Sequence, residues 1–283
     1  MTVQQVIDQI SSELSGVKGV VAVVLGGSRA RGTNHAASDI DIGIYYDVTA
    51  GFDVSEVSRI ATKLDDEHRE GLITALGEWG PWVNGGGWLT VQGYAVDFLF
   101  RDMERVAQVI DDCRDGKVAP HYQTGHPHAY INAMYMGEIS ICKVLSDPAG
   151  QVAELKRKTT PYPKPLKDAM LGFFMFEASF SCILAEKNVD QDDISYVAGH
   201  VYRSIAGLNQ AIFALNEQYC INEKRAVRMI ESFAAKPGDY KEKVDQILTL
   251  MSADPDQTKE GLKILRGLVS DTQGLVNDHA LGG

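Results

Sequence analysis

Positive charge is scarce in this chain of 283 residues: 27 Lys and Arg stand against 38 Asp and Glu, a formal charge of -11. That balance excludes nucleic-acid binding as the main role, because such affinity rests on cationic residues that displace counterions from phosphates. It speaks equally against an anionic membrane surface. Cysteine is scarce as well. The four present, Cys113, Cys142, Cys182 and Cys220, form no CxxC pair and fall mostly in apolar, helix-like segments, so they read as reduced core residues rather than disulfides or zinc ligands. The most apolar stretch, Ala169 to Ala185, is interrupted by Glu177 and is shorter than the ~20 residues of a spanning helix. The start, Met1 to Gly16, is polar and amphipathic and lacks the basic cap and apolar stretch of a secretory signal. These absences predict a cytoplasmic chain with no membrane and no nucleic-acid partner. Internal repeats and low-complexity segments are also missing, and what remains is an ordinary 45% apolar chain long enough for two domains.

Periodicity divides it. Apolar residues at Val3, Val6, Ile7, Ile10 and Leu14 have the spacing of one helix face. The run Val17 to Leu25 is nearly all Val, Ala and Leu and stops at Gly26-Gly27, the pattern of a strand buried on both faces. Ile40 to Tyr46 reads as a second strand, about 55–69 as a helix, and Trp88 to Phe100 as a hairpin turning at Gln92-Gly93. Asp102 to Cys113 returns to helix, and another helix is expected from about His128 to Leu145. The stretch Pro161-Tyr162-Pro163-Lys164-Pro165 cannot be helical. Beyond it the pattern is helical throughout, with segments at about 166–187, 193–219, 223–235, 240–251 and 258–277. The expected organisation is a mixed α/β domain over 1–146, a linker over 147–165 and an all-helical domain over 166–283.

The chemistry concentrates between Leu25 and Ile42. A strand runs into Gly26-Gly27-Ser28, where absent side chains let backbone N–H groups approach an anion, as in a phosphate cradle. Eleven residues after Ser28 comes Asp39 and, two further on, Asp41, so both carboxylates face the same way on one strand. Like charges so close repel unless a cation lies between them, and Mg²⁺ prefers carboxylate oxygens.

Gly-Ser, a spacer, then Asp-apolar-Asp-apolar resembles the signature of the nucleotidyltransferase superfamily, which includes the adenylyltransferases that modify aminoglycosides and lincosamides. The resemblance in motif covers about the first hundred residues. It implies a mixed sheet with flanking helices followed by a helical-bundle domain, and a third carboxylate from a later neighbouring strand, a place filled by Asp97 in Val96-Asp97-Phe98-Leu99. It further implies two Mg²⁺ ions held by Asp39, Asp41 and Asp97, and an NTP such as ATP whose phosphates are held by Gly27 and Ser28, with Arg29 or Arg31 reaching them. Ser38 is placed to steer the Asp39 carboxylate. The implied reaction moves NMP to a hydroxyl of a small acceptor and releases pyrophosphate, in a monomer or homodimer. A different reading is an interaction protein of the antitoxin kind that binds or nucleotidylates a protein partner; a helical domain of its own favours the enzyme.

Glu177 is the second focus. Leu166, Met170, Phe173, Glu177, Phe180 and Leu184 share one side of a helix, so Glu177 interrupts an apolar stripe. Such a carboxylate must face a cleft, hold a proton or meet a cation such as Arg203. Antibiotic-modifying relatives use a helical-domain carboxylate as general base, so the resemblance implies that role for Glu177, with a pKa raised by apolar neighbours. Two further features keep two readings each. His121, His126 and His128 belong either to a substrate-contacting loop or to a metal site. Trp79, Trp82 and Trp88, among glycines, either stack on a ring of a substrate or pack the sheet.

Overall fold

The computed structural model describes residues 1–282. The chain divides into two compact units. A sheet unit comprises residues 1–112, 121–125 and 135–161, and a helical unit comprises 113–120, 126–134 and the chain from 162 onward.

The sheet unit is built on five strands: β1 (Val20–Leu25), β2 (Ile40–Tyr46), β3 (Gly86–Val91), β4 (Tyr94–Asp102) and an edge strand at Lys143–Ser146. They lie in the order β3-β4-β2-β1 followed by the edge strand. β2 and β4 run parallel, while every other neighbouring pair is antiparallel. Helices α1 (Val3–Ser15) and α3 (Val54–Leu64) cover one face. Thr2 opens α1 through a reciprocal capping box with Gln5, and Asp53 caps α3 by accepting from the Ser55 N–H. Val6, Ile10 and Leu14 of α1 and Val57 and Ala61 of α3 bury themselves against Ile40, Ile42 and Ile44 of β2 and Val96, Phe98 and Phe100 of β4. Strand residues alternate between faces, so the positions between these, Asp41 and Asp97, project from the opposite face. The turn of the hairpin has positive φ at Gln92 (52°) and Gly93 (78°), matching the strand twist.

Two expectations for this unit are corrected. The helix expected to run to Leu145 is α5 (Met134–Ile141), and the chain then enters the edge strand, which pairs antiparallel with β1. The stretch 147–165 is not all linker. It holds α6 (Gln151–Lys158), which buries Val152 and Leu155 and carries Lys156, Arg157 and Lys158 in its last turn, where the helix dipole favours cations. The unit boundary falls instead at residue 161.

Beyond that point come α7 (Lys164–Asn188), α8 (Ile194–Leu215), α9 (Ala226–Ile230), α10 (Tyr240–Thr249) and α11 (Pro255–Gly282). α9 is much shorter than the expected 223–235. α7 and α8 pack closely where Gly207 of α8 meets the Phe174 carbonyl and Ala178; a β-carbon there would lie 3.0 Å from that oxygen. The Ser204 hydroxyl donates to the Ala178 carbonyl at the same contact, at 2.8 Å. α7 is long and apolar enough to cross a membrane by length and composition, which the interrupted run in the sequence did not suggest, and half of that apolar window is buried in the protein. The four cysteines are buried thiols, as expected. Burial pushes Cys142 up to about 11 and Cys182 up to about 12, which keeps both as inert thiols at neutral pH.

Candidate functional site

On the face of the sheet opposite α1 and α3, three side chains stand in a row across three strands. Asp41 of β2 is in register with Asp97 of β4, and Asp97 lies directly opposite Trp88 of β3. Side chains in register on adjacent strands share a face and sit within reach of one another. Both carboxylates are half-buried, while Trp88 is 63% exposed. The sequence placed Asp97 in the site only through the resemblance; the strand register sets it beside Asp41.

The turn after β1 closes on the Asp41 end of this row. The Gly26 N–H donates to the Asp41 carbonyl at 2.8 Å, tying the turn to β2. Gly27 has φ of 57°, and a β-carbon on it would lie 1.9 Å from Asp41 Oδ2. Only glycine lets the main chain pass this close to the carboxylate. Ser28, half-buried, follows in the five-residue helix α2 (Gly27–Arg31).

The remaining expected site residues are arranged as follows. Asp39 is exposed and lies one residue before β2. Its carbonyl accepts from Arg29 Nε at 3.0 Å, and the Ser38 carbonyl accepts from Arg29 Nη2. Arg29 therefore holds the main chain that leads into the aspartates. The Ser38 hydroxyl accepts from the His35 N–H at 3.0 Å and so closes the loop just before Asp39. Arg31 lies in the last turn of α2. No three His, Cys, Asp or Glu side chains form a metal-binding group among the described residues. The pair Asp41 and Asp97 nonetheless suits Mg²⁺, which is usually held by one or two protein carboxylates plus the phosphates of its substrate. The pressed contact of Gly27 on the Asp41 carboxylate points the same way, since it fixes that carboxylate at the mouth of the turn.

The tryptophans separate into two roles. Trp82 is buried, stacks on His121 at 4.2 Å and lies under Arg105 at 4.4 Å. Burial and Arg105 hold His121 below its ordinary pKa. Trp79 instead stacks on Trp88 at 4.6 Å, beside Asp97. Gln123, which no sequence signal singled out, fastens this loop: its Oε1 accepts from the N–H groups of Trp82 (3.1 Å) and Val83 (3.3 Å), and its Nε2 donates to the Trp79 carbonyl.

In the helical unit, Glu177 is buried and its Oε1 meets both His128 Nε2, at 3.4 Å, and Arg203 Nη2. Burial by itself would raise the carboxyl, yet the His128 and Arg203 contacts outweigh it and hold Glu177 below its ordinary value. The expected raised pKa is thus corrected, and the expected cation, Arg203, is present. The apolar stripe is also shifted: Leu166, Met170, Phe174 and Ala178 are the buried positions, while Phe173 and Phe180 are 39% and 49% exposed. His126 and His128 converge with Glu223, which accepts the His128 N–H at 2.7 Å and lies 3.7 Å from His126 Nδ1. That link spans 95 residues of chain, and no local pattern announces it.

Residues 3–79 match the nucleotidyltransferase domain family. The match takes in Gly27, Ser28, Asp39 and Asp41 and supports an enzyme of nucleotidyl transfer. Among solved structures, the chain is similar to a nucleotidyltransferase-like protein from Exiguobacterium sibiricum at 10% identity and a TM-score of 0.46, covering 97% of this chain and 78% of that one. No curated protein matches it.

Proposed function

We propose that the protein transfers NMP, in the first instance AMP from ATP, to a hydroxyl of a small acceptor and releases pyrophosphate. The observation that carries this reading is the in-register pair Asp41 and Asp97 with the Gly27 main chain pressed onto the Asp41 carboxylate. Asp41 and Asp97 would hold Mg²⁺, with Asp39 at the strand entrance as a further ligand. When bound, Mg²⁺ neutralises charge on the triphosphate and on the phosphorus under attack. The chain's own groups do the rest. Gly27 and Ser28 present main-chain and hydroxyl donors to the terminal phosphates, Arg29 fixes the approach of the Asp39 segment, and Arg31 adds a cation at the end of α2. Asp97, lying between Asp41 and Trp88, faces the acceptor side and takes part in freeing its hydroxyl.

Aminoglycosides and lincosamides are the acceptor classes to test first, with a role in resistance following from turnover. Glu177, in the helical unit, is carried forward as a residue to test by substitution. Its lowered pKa weighs against a general base, which works best with a pKa near the working pH. A cytoplasmic setting fits an ATP-dependent reaction.

The test is pyrophosphate release from ATP with Mg²⁺ and a panel of hydroxylated acceptors, run beside Asp41→Ala and Asp97→Ala. Acceptor-dependent release in the parent, lost at least ~10³-fold in either variant, is expected. Label from ATP appearing on protein while all acceptors stay unmodified would replace this reading with the interaction protein.

A further inference from the structure

The helical unit contains a cavity of about 300 Å³ between α7 and α8. Its α7 wall is mostly apolar and aromatic, from Phe173, Phe176, Phe180 and Leu184, with Glu177 and Ser181 set among them. Phe176 and Phe180 stack nearly parallel, at 5.7 Å and 8°, and are 69% and 49% exposed. Large aromatic surface left this open on a helix whose other side is buried has a cost in water of about 25 cal/mol for each Å². A volume of this size is at the small end of the range for ligand pockets.

The polar lining is unusual for so apolar a space. Glu177 and His200 both line it, and each keeps one buried polar atom, Glu177 Oε2 and His200 Nδ1, with no hydrogen-bond partner among the described residues. A buried acceptor without a donor costs free energy that a ligand donor recovers. Glu177 is 7% exposed, and its other oxygen is occupied by His128 and Arg203. Arg203 also lines the cavity and balances the charge of Glu177. The opposite charges lining the space therefore balance. Tyr196 sets its ring edge-on to His200 at 4.5 Å, which fixes the imidazole at the wall.

We infer that this cavity is a binding site for a small molecule with an apolar, ring-sized body and a single hydrogen-bond-donating head, an alcohol or an ammonium, that donates to Glu177. The phenylalanines take the body by contact and stacking, and an ammonium head gains further from the aromatic faces. Binding here needs neither nucleotide nor Mg²⁺, so it is tested apart from transfer activity.

The experiment is calorimetric titration of the full chain, without nucleotide or metal, with three probes of equal body: 2-phenylethanol, 2-phenylethylamine and 3-phenylpropionate. At least one of the first two is expected to bind more tightly than the propionate by about tenfold or more, and the comparison of those two separates the alcohol from the ammonium. Phe176→Ala and Phe180→Ala, both at exposed side chains, are expected to weaken that binding about tenfold while leaving the melting temperature in place. Glu177→Gln is expected to abolish the preference over propionate. If that variant fails to fold, the two phenylalanine variants still decide. No binding by any probe up to its solubility, equal or tighter binding of the propionate, or affinity unchanged in both phenylalanine variants would overturn the inference.

Discussion

Gly27 and Asp41 constrain each other, because the space that a β-carbon would need is filled by the Asp41 carboxylate. Gly27→Ala must displace that carboxylate and also adopt a positive φ that costs an alanine about 1 kcal/mol. The carboxylate is the movable end of a side chain, so the fold survives while the geometry shifts. Misplacement on the scale of an ångström costs about 10²-fold in rate. Gly27→Ala is accordingly expected to lose about that much turnover while its melting temperature falls only a few degrees, as steady-state assay and thermal melts would show. Asp65, fully buried at the end of α3, makes a different kind of prediction. Its carboxylate accepts from Arg69 Nε and Nη2, at 2.9 and 2.6 Å, and from the Thr90 N–H at 2.9 Å. The Arg69 hydrogen bonds hold it far below the usual carboxylate range against the opposing effect of burial. A depressed folded pKa gives stability that is fully present above the unfolded value of about 3.9 and is lost only as pH falls through the folded value. Asp65→Ala should cost about 2 kcal/mol at pH 7, with the gap to the parent closing only in strong acid, as chemical denaturation across pH would read out.

Among the elements, β4 carries the greatest variety of tasks. Its buried residues fill the core, Asp97 faces the site, and Arg101 near its end is a buried cation bonded to both oxygens of Glu138 on α5, each at 2.8 Å. Removing one partner strands the other charge. Glu138→Ala should therefore destabilise by about 3 kcal/mol, whereas replacing Arg101 and Glu138 together by apolar residues should cost clearly less, a non-additivity that a double-mutant cycle measures. The strands β1, β2, β3 and β4 were legible in the sequence because their apolar periods and their Gly turns agree with their burial. The edge strand was not. Lys143 to Ser146 continues an apolar helical pattern, and only pairing with β1 makes it a strand. α6 escaped because a Gly150 turn and a proline run bracket it, leaving two buried residues as its whole apolar signal. Of the site, Gly27, Asp39 and Asp41 were legible as a local motif. The Trp88–Asp97–Asp41 row depends on register, and the Gln123 latch on contacts some forty residues apart, so neither could be read from neighbours in sequence.

For the molecule as a whole, the expected division at 146 and 166 is replaced by two units whose chain segments alternate. A helical domain taken as 166–283 lacks segments 113–120 and 126–134, including His128 and its bonds to Glu177 and Glu223. Such a fragment is expected to melt without cooperativity by circular dichroism, whereas 113–283 should retain a transition. Equal cooperativity in the two fragments would contradict the interleaved assignment.

The alternation also sets an order of events at the ribosome. The sheet reaches its fifth strand only when residue 146 has emerged, and α6 completes its unit later still. By then segments 113–120 and 126–134 are already outside, while the α7 and α8 that complete their unit have yet to emerge. Those segments, with Tyr130 and Ile131 that end up buried, pass through synthesis without their eventual neighbours, so their apolar side chains stay open to solvent longest.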